Sequence, residues 1–292
     1  MAGPGPATAM SAAEVPAATG AGTLDRAALR APLVALARRA GEAILAVYAR
    51  DFGVEAKADR SPLTEADLAS HRVLVAGLGA LAPGIPVLSE ESPASEVAER
   101  RRWRRLWLVD PLDGTREFVK KNGEFCVCIA LVEDGVPVLG VVHAPVGDTG
   151  WSALAGGGVW KHGPEGREQR LAPRPASVTP PTLAGLRVAA SRSHLDARTA
   201  ALLERLPGAE RVALGSALKF GLLAEGRLDL YPRFGPTSEW DTAAGQCLVE
   251  AMGGAVLDLE GRPLRYNQRD TLINGDFLAL SDPRLPWESL LD

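Results

Sequence analysis

Apolar residues recur along this chain at two different periods, and the change from one to the other organises it. Leu33, Leu36, Ala40, Ile44 and Val47 fall at helical spacing, with Arg38, Arg39 and Glu42 off that stripe. This predicts an amphipathic helix over about 25–49. A short extended piece at 54–57 leads through a polar loop, 58–62, to a second helix that starts at Thr64 and runs to about Leu81. Pro83-Gly84 ends it. Residues 85–89 read as a buried strand delivering Glu90 and Glu91, and 93–104 as a polar loop or brief helix. From Leu106 the pattern becomes that of strands, over 106–109, 125–133, 136–143 and 150–155, with Asp134-Gly135 as a hairpin turn. The Pro-rich, charged stretch 161–181 marks a lobe boundary. Beyond it, strands at 186–190, 210–213, 227–231 and 254–258 alternate with helices at 195–205, 216–225 and 241–252. Such alternation predicts parallel pairing after a first half of more antiparallel character. The fold class expected is α/β in the broad sense, α+β in detail, with lobes over 25–180 and 181–292.

Composition narrows the function. The first 24 residues are rich in Ala, Gly and Pro without a basic start or a long apolar run, and read as a disordered tail rather than a signal peptide. A formal net charge of −4 argues against a nucleic-acid-binding surface. No segment approaches the ~20 apolar residues of a membrane span. Cys126, Cys128 and Cys247 are an odd set without paired spacing, which suggests a reducing compartment and a cytoplasmic setting. Cys126 and Cys128 alternate with Val127 and Ile129 and are expected to pack rather than bind. Nothing in the chain specifies an oligomeric state.

The candidate chemistry is acidic. In Trp107-Leu-Val-Asp110-Pro-Leu-Asp113-Gly-Thr115 an apolar strand ends on one carboxylate and a second follows three residues later. Pro111 biases Asp110 towards an extended conformation, Gly114 permits a sharp turn, and Thr115 adds a hydroxyl at a helix start. Two carboxylates so placed repel unless cations sit between them, and hard divalent ions, Mg²⁺ above all, suit oxygen ligands. Asp67, Glu90 and Asp241 also stand at element ends. Taken singly, each has a plain explanation. Asp67 completes a capping box with Thr64, Glu90 and Glu91 form a solvated strand end, and Asp241 caps an Ala-rich helix. Together they would build a two- or three-ion site of the kind that clamps the attacking and leaving oxygens of phosphoryl transfer. His71, His143, His162 and His194 lack zinc-ligand spacing, and no P-loop, nucleophile elbow, EF-hand or dinucleotide fingerprint is present.

The blocks SEES (89–92), DPLDGT (110–115) and WDTAAG (240–245) resemble the signatures of the inositol monophosphatase superfamily, whose members are Mg²⁺-dependent, lithium-sensitive phosphomonoesterases. KADRSPLTEAD (57–67), PLDGTREFVKKNGEF (111–125), SRSH (191–194), GSALKF (215–220) and YPRFGPTSEWDTAAG (231–245) resemble its 3'(2'),5'-bisphosphate nucleotidases of the CysQ type. The resemblance runs from about Leu33 to the C-terminus. It implies a layered αβαβα sugar-phosphatase fold with two lobes. It implies that Glu90, Asp110 and the Leu112 carbonyl bind one Mg²⁺, that Asp110, Asp113 and Asp241 bind another, and that Glu91 helps to place a third. Asp67 and Thr115 would orient and deprotonate the attacking water. The substrate would be adenosine 3',5'-bisphosphate, losing its 3'-phosphate, with inositol phosphate or fructose bisphosphate as alternatives on the same metal centre. The phosphate would lie against Glu90, Leu112, Asp113, Gly114, Thr115 and Asp241, with further contacts from His194, Ser216, Lys219 and Arg233. Ser216 as a simple cap and Lys219 on a solvated helix face are the alternatives for isolated residues.

Overall fold

The two periods in the sequence become two kinds of layer. The computed structural model describes residues 24–56, 62–173, 181–192 and 196–291, so the N-terminal tail, most of the polar loop after Ala56, the end of the proposed lobe boundary and His194 lie outside the described residues. The first helix, Arg26–Tyr48, is capped by Asp25, whose side chain accepts from the Ala28 amide at 3.0 Å. Its buried stripe packs on the second helix, Glu65–Leu81, and on a seven-stranded sheet. Gly77 permits the close helix–helix approach, because a Cβ there would stand 2.3 Å from Leu36 Cδ1.

The sheet runs in the order 87–89, 105–113, 126–133, 136–144, 149–154, 158–162, 168–170. Its first pair is parallel and the remainder antiparallel. The strict alternation of side chains sorts the central strands between two cores. Trp107, Val109, Val127, Ile129 and Leu131 face the first two helices, while Leu106, Leu108, Cys126, Cys128 and Ala130 face the other way. Burying each of the larger aliphatic side chains contributes roughly 1.5–3 kcal/mol. The hairpin turn falls on Asp134-Gly135, both at positive φ (48° and 82°), as a two-residue primed turn requires.

Behind the sheet lie helices Leu218–Ala224 and Glu239–Ala251, and behind them a five-stranded sheet in the order 210–214, 187–191, 230–233, 277–280, 255–258. Helix Ala197–Arg205 sits nearby, with Leu202 packed among Leu186, Val188, Leu230 and Leu278. The layering is αβαβα. Two details differ from the sequence expectation. Only the first three strands of the second sheet are parallel; Phe277–Leu280, which carries no helix before it and was not expected as a strand, enters antiparallel between two others. Strands Gly158–His162 and Glu168–Arg170 extend the first sheet into the stretch read as a boundary, whose charged residues sit on an edge strand where solvent takes them.

Candidate active site

Asp110 and Asp113 lie three apart, and in an unbroken strand an odd spacing would send them to opposite faces. The pairing with the neighbouring strand slips between them: Asp110 lies opposite Cys128, and Asp113 opposite Cys126. Two residues, Pro111 and Leu112, thus stand against Val127 alone. This bulge returns Asp113 to the face that Asp110 occupies. It also frees two carbonyls from the ladder. That of Pro111 accepts from Ser70 Oγ at 2.7 Å, and that of Leu112 accepts from Thr115 Oγ1 at 3.2 Å. Gly114 then turns the chain at φ 93°, into the short helix Thr115–Val119. A Cβ on Gly114 would also stand 3.0 Å from the Glu124 carbonyl and 3.1 Å from Ser216 Cβ, so glycine is required twice over.

The third carboxylate comes from the helix behind the sheet. Asp241 completes a capping box with Ser238, accepting from its amide at 2.8 Å. Side-chain oxygens of Asp110, Asp113 and Asp241 lie within 4.8 Å of one another. Each carboxylate is aimed by a backbone amide: Leu112 N–H donates to Asp110 Oδ1 at 2.9 Å, Ala217 N–H to Asp113 Oδ2, and Ser238 N–H to Asp241. Glu90 follows the strand Val87–Ser89, held by its amide on the Val109 carbonyl at 3.1 Å, and lines the same cavity of about 390 Å³ with Leu112, Gly114 and Thr115. Glu91 has its amide on Ser89 Oγ and does not line that cavity.

Burial and mutual repulsion dominate the electrostatics of the cluster. Burial, then the charges of Glu90, Asp113 and Asp241, holds the Asp110 carboxyl well above the usual range. Burial and then Asp113 and Glu90 do the same to Asp241. Asp113 is raised by burial as well, against the opposing pull of Lys219 and the Ala217 amide. Oxygen-only ligands, compressed and prealigned, match a hard divalent cation.

Asp67 serves two ends at once. Its Oδ2 accepts from Thr64 N and Thr64 Oγ1, both at 2.7 Å, and its Oδ1 accepts from Thr115 Oγ1 at 3.3 Å. The capping box and the Thr115 pairing therefore coexist.

A second, smaller cavity of about 150 Å³ adjoins the first and shares Asp113, Gly114, Glu117, Arg233, Thr237 and Asp241 with it. Ser216, at φ 49°, and Lys219 line it. Lys219 is buried, not on a solvated face: its Nζ donates to the carbonyls of Ser216 (2.6 Å) and Leu214 (3.3 Å). Burial, relieved by Asp113, takes its pKa down to about 8. Arg233 ends its strand with Nη2 on the Pro236 carbonyl, while its buried Nε has no hydrogen-bond partner among the described residues. Glu117 and Arg116, on the turn after Thr115, also line the larger cavity. The sequence reading passed over them. Their only signal was their place two and one residues beyond Thr115.

The sequence model of the Inositol monophosphatase family matches residues 25–284. The chain belongs to the inositol monophosphatase family. Phosphatase activity in this family is metal-dependent, typically with Mg²⁺, which the oxygen-only cluster suits. Among curated members, the chain is 50% identical over 245 residues to the 3'(2'),5'-bisphosphate nucleotidase CysQ of Escherichia coli O157:H7, spanning 83% of this chain and 95% of that protein. With the CysQ of Haemophilus influenzae the identity is 38% over 256 residues, 87% and 93% of the two chains. Among solved structures, CysQ from Bacteroides thetaiotaomicron, described as a bacterial member of the family, is similar with a TM-score of 0.72, 39% identity and coverage of 87% and 97%. An inositol monophosphatase from Zymomonas mobilis has a TM-score of 0.71 at 26% identity, covering 92% and 98%. The bulge, the capped Asp241 and the Asp67–Thr115 contact thus occur within a chain that aligns with family members over nearly their whole length. No helix among the described residues is long and apolar enough to cross a membrane.

Proposed function

We propose that this protein is a Mg²⁺-dependent 3'(2'),5'-bisphosphate nucleotidase that removes the 3'-phosphate of adenosine 3',5'-bisphosphate, giving AMP and phosphate, in the service of sulfate assimilation in the cytoplasm. The observation that carries the reading is the junction of an acidic cluster with a basic corner, Lys219 and Arg233, where the buried Arg233 Nε has no partner among the described residues. A monophosphate needs only the first; a bisphosphate uses both. The relatives named CysQ support the same choice.

Glu90, Asp110 and the Leu112 carbonyl would hold one Mg²⁺, and Asp110, Asp113 and Asp241 a second, with Glu91 helping a third. Bound there, the ions supply charge for the phosphoryl oxygens and acidify water. The protein's own groups do the rest. Thr115 Oγ1, pinned to Asp67 Oδ1, can accept a hydrogen bond from the attacking water and pass its proton to that carboxylate. Asp67 Oδ2 is engaged by Thr64, and Oδ1 is the oxygen that meets Thr115. The amides at Gly114 and Thr115 meet equatorial oxygens of the phosphate. Ser216, Lys219 and Arg233 would receive the 5'-phosphate, and the family pattern assigns His194, outside the described residues, to the nucleoside. The lobe 25–180 supplies most of the metal side and 181–292 most of the substrate side, and lithium competes for the cation positions.

Phosphate release from adenosine 3',5'-bisphosphate and from inositol 1-phosphate, measured under identical Mg²⁺, tests the proposal. A kcat/KM higher on the bisphosphate is expected. Equal or higher efficiency on the inositol ester would overturn it.

A further inference from the structure

The cross-strand register that places Asp113 beside Cys126 also builds a cluster of different chemistry. Cys126 and Cys128 lie two apart on one strand, so both sulfurs point to the face that carries Asp113. Cys126 Sγ is 3.8 Å from Cys128 Sγ, 3.7 Å from Asp113 Oδ2 and 3.6 Å from Ser216 Oγ. Two sulfurs each about 2.3 Å from a tetrahedral zinc stand about 3.8 Å apart, and a sulfur and a carboxylate oxygen on such an ion about 3.5 Å apart. The Cys126–Cys128 and Cys126–Asp113 separations match two edges of that tetrahedron. Asp113, Cys126 and Cys128 offer ligand atoms all within 4.8 Å of one another.

We propose that Cys126, Cys128 and Asp113 bind a single soft or borderline divalent cation of the Zn²⁺ or Cd²⁺ class, and that its binding takes Asp113 out of the Mg²⁺ cluster and stops turnover. Only the inhibitory half rests on the phosphatase reading; the binding half does not. Thiolate sulfur selects such ions over Mg²⁺, whereas Asp110, Asp113 and Asp241 select in the opposite sense. Asp113 belongs to both sets and cannot serve both with the same geometry. The step is a ligand exchange without redox: two S–H bonds break, two sulfur–metal bonds form, and two protons leave to solvent. Two thiolates and Asp113 carry three negative charges. The divalent ion and Lys219, whose charge acts on both Asp113 and Cys126, carry three positive ones, so the buried cluster closes neutral. Asp113 and Ser216 line the smaller cavity, so an incoming ion meets oxygen ligands before it reaches sulfur.

The experiment is a Cd²⁺ titration of the whole protein without substrate, reading the ultraviolet thiolate-to-cadmium charge-transfer absorption. Wild type is expected to saturate at one ion per chain, Cys126→Val and Cys128→Val to lose the absorption, and Cys247→Val to keep it. In turnover assays, loss of a partner even outside the ligand shell costs about 10–100-fold in metal affinity. Cys128→Val should therefore raise the half-inhibitory Cd²⁺ concentration by at least about 100-fold while keeping wild-type Mg²⁺-dependent rates. Absence of the absorption in wild type overturns the proposal without any variant. So does absorption that persists in folded Cys126→Val and Cys128→Val, or inhibition that ignores Cys128→Val. A protein that binds Cd²⁺ through these sulfurs yet releases no phosphate would refute the phosphatase reading alone.

Discussion

At Asp110 the protein holds a carboxylate where burial and the charges of Glu90, Asp113 and Asp241 oppose ionisation. Its folded-state pKa therefore lies above the unfolded value. Without metal, Asp110 contributes stability below the unfolded pKa and loses it as pH rises through the folded one. Asp110→Asn keeps an acceptor for the Leu112 amide and removes the charge. It is expected to lower Mg²⁺-dependent turnover by at least about 100-fold while raising the melting temperature at neutral pH in chelator, checked by phosphate assay and calorimetry. A melting temperature that fell in chelator would show that repulsion does not dominate the metal-free site. Arg233→Gln tests the opposite charge. A hydrogen bond to a charged group contributes about 2 kcal/mol, so its loss should raise KM for adenosine 3',5'-bisphosphate by about thirtyfold and leave that for adenosine 3'-monophosphate near wild type. Steady-state kinetics on the pair decides; equal changes would remove Arg233 from the 5'-phosphate site.

The helix Glu239–Ala251 is the element on which the site depends most, because it carries Asp241 at its first turn and touches strands of both sheets. It sits tight on the first sheet at Gly140, where a Cβ would come within 2.7 Å of the Ala244 carbonyl oxygen and 3.0 Å of Cys247 Cβ. Gly140→Ala must push the helix outward. Overpacking of this kind costs about 1–3 kcal/mol, and Asp241, one turn from Ala244, moves with the helix. Lower thermal stability together with a higher Mg²⁺ half-saturation is expected. A loss of stability with unchanged Mg²⁺ dependence would separate the packing from the site. At this scale the sequence was most legible where one period held for long: the first two helices and the strands 126–133 and 136–144 lie within a residue or two of expectation. Leu230–Arg233 begins three residues late and Phe277–Leu280 was missed. A four-residue strand buried on both faces carries no alternation to read. The bulge at Pro111-Leu112 was equally silent, since only the partner strand's register reveals it.

Across the whole molecule, the two buried imidazoles of the first sheet tie stability to pH. Burial takes both His143 and His162 down to about 4, against the nearby carboxylates Asp148 and Glu168. A depressed folded pKa means that the unfolded chain binds more protons between that value and about 6.5. Their contribution is intact above pH 6.5 and is lost as pH falls towards 4, each adding a slope of about 1.4 kcal/mol per pH unit. Denaturant unfolding between pH 7 and 4.5 is expected to show that decline, and His162→Gln, which can keep a partner for Ser152 Oγ, should remove about one proton from the slope. An unchanged slope would mean that other groups set it. What composition and motif conveyed about the molecule, an acidic cation site on a mixed α+β frame, came through because those carboxylates end their elements. What they could not convey was which buried groups share a wall, such as Asp113 with Cys126, because that follows from strand pairing.

The freed carbonyl of Leu112 has a consequence for anyone mapping this protein by mutagenesis. Its side chain is buried in the core between the first helices and the sheet, so a codon change at 112, proline apart, reports on packing, while every encoded amino acid presents the same oxygen. A scanning library would file the position as structural. Only a change to the backbone itself, such as an ester in place of the Leu112–Asp113 amide, would expose a contribution that side-chain substitution cannot vary.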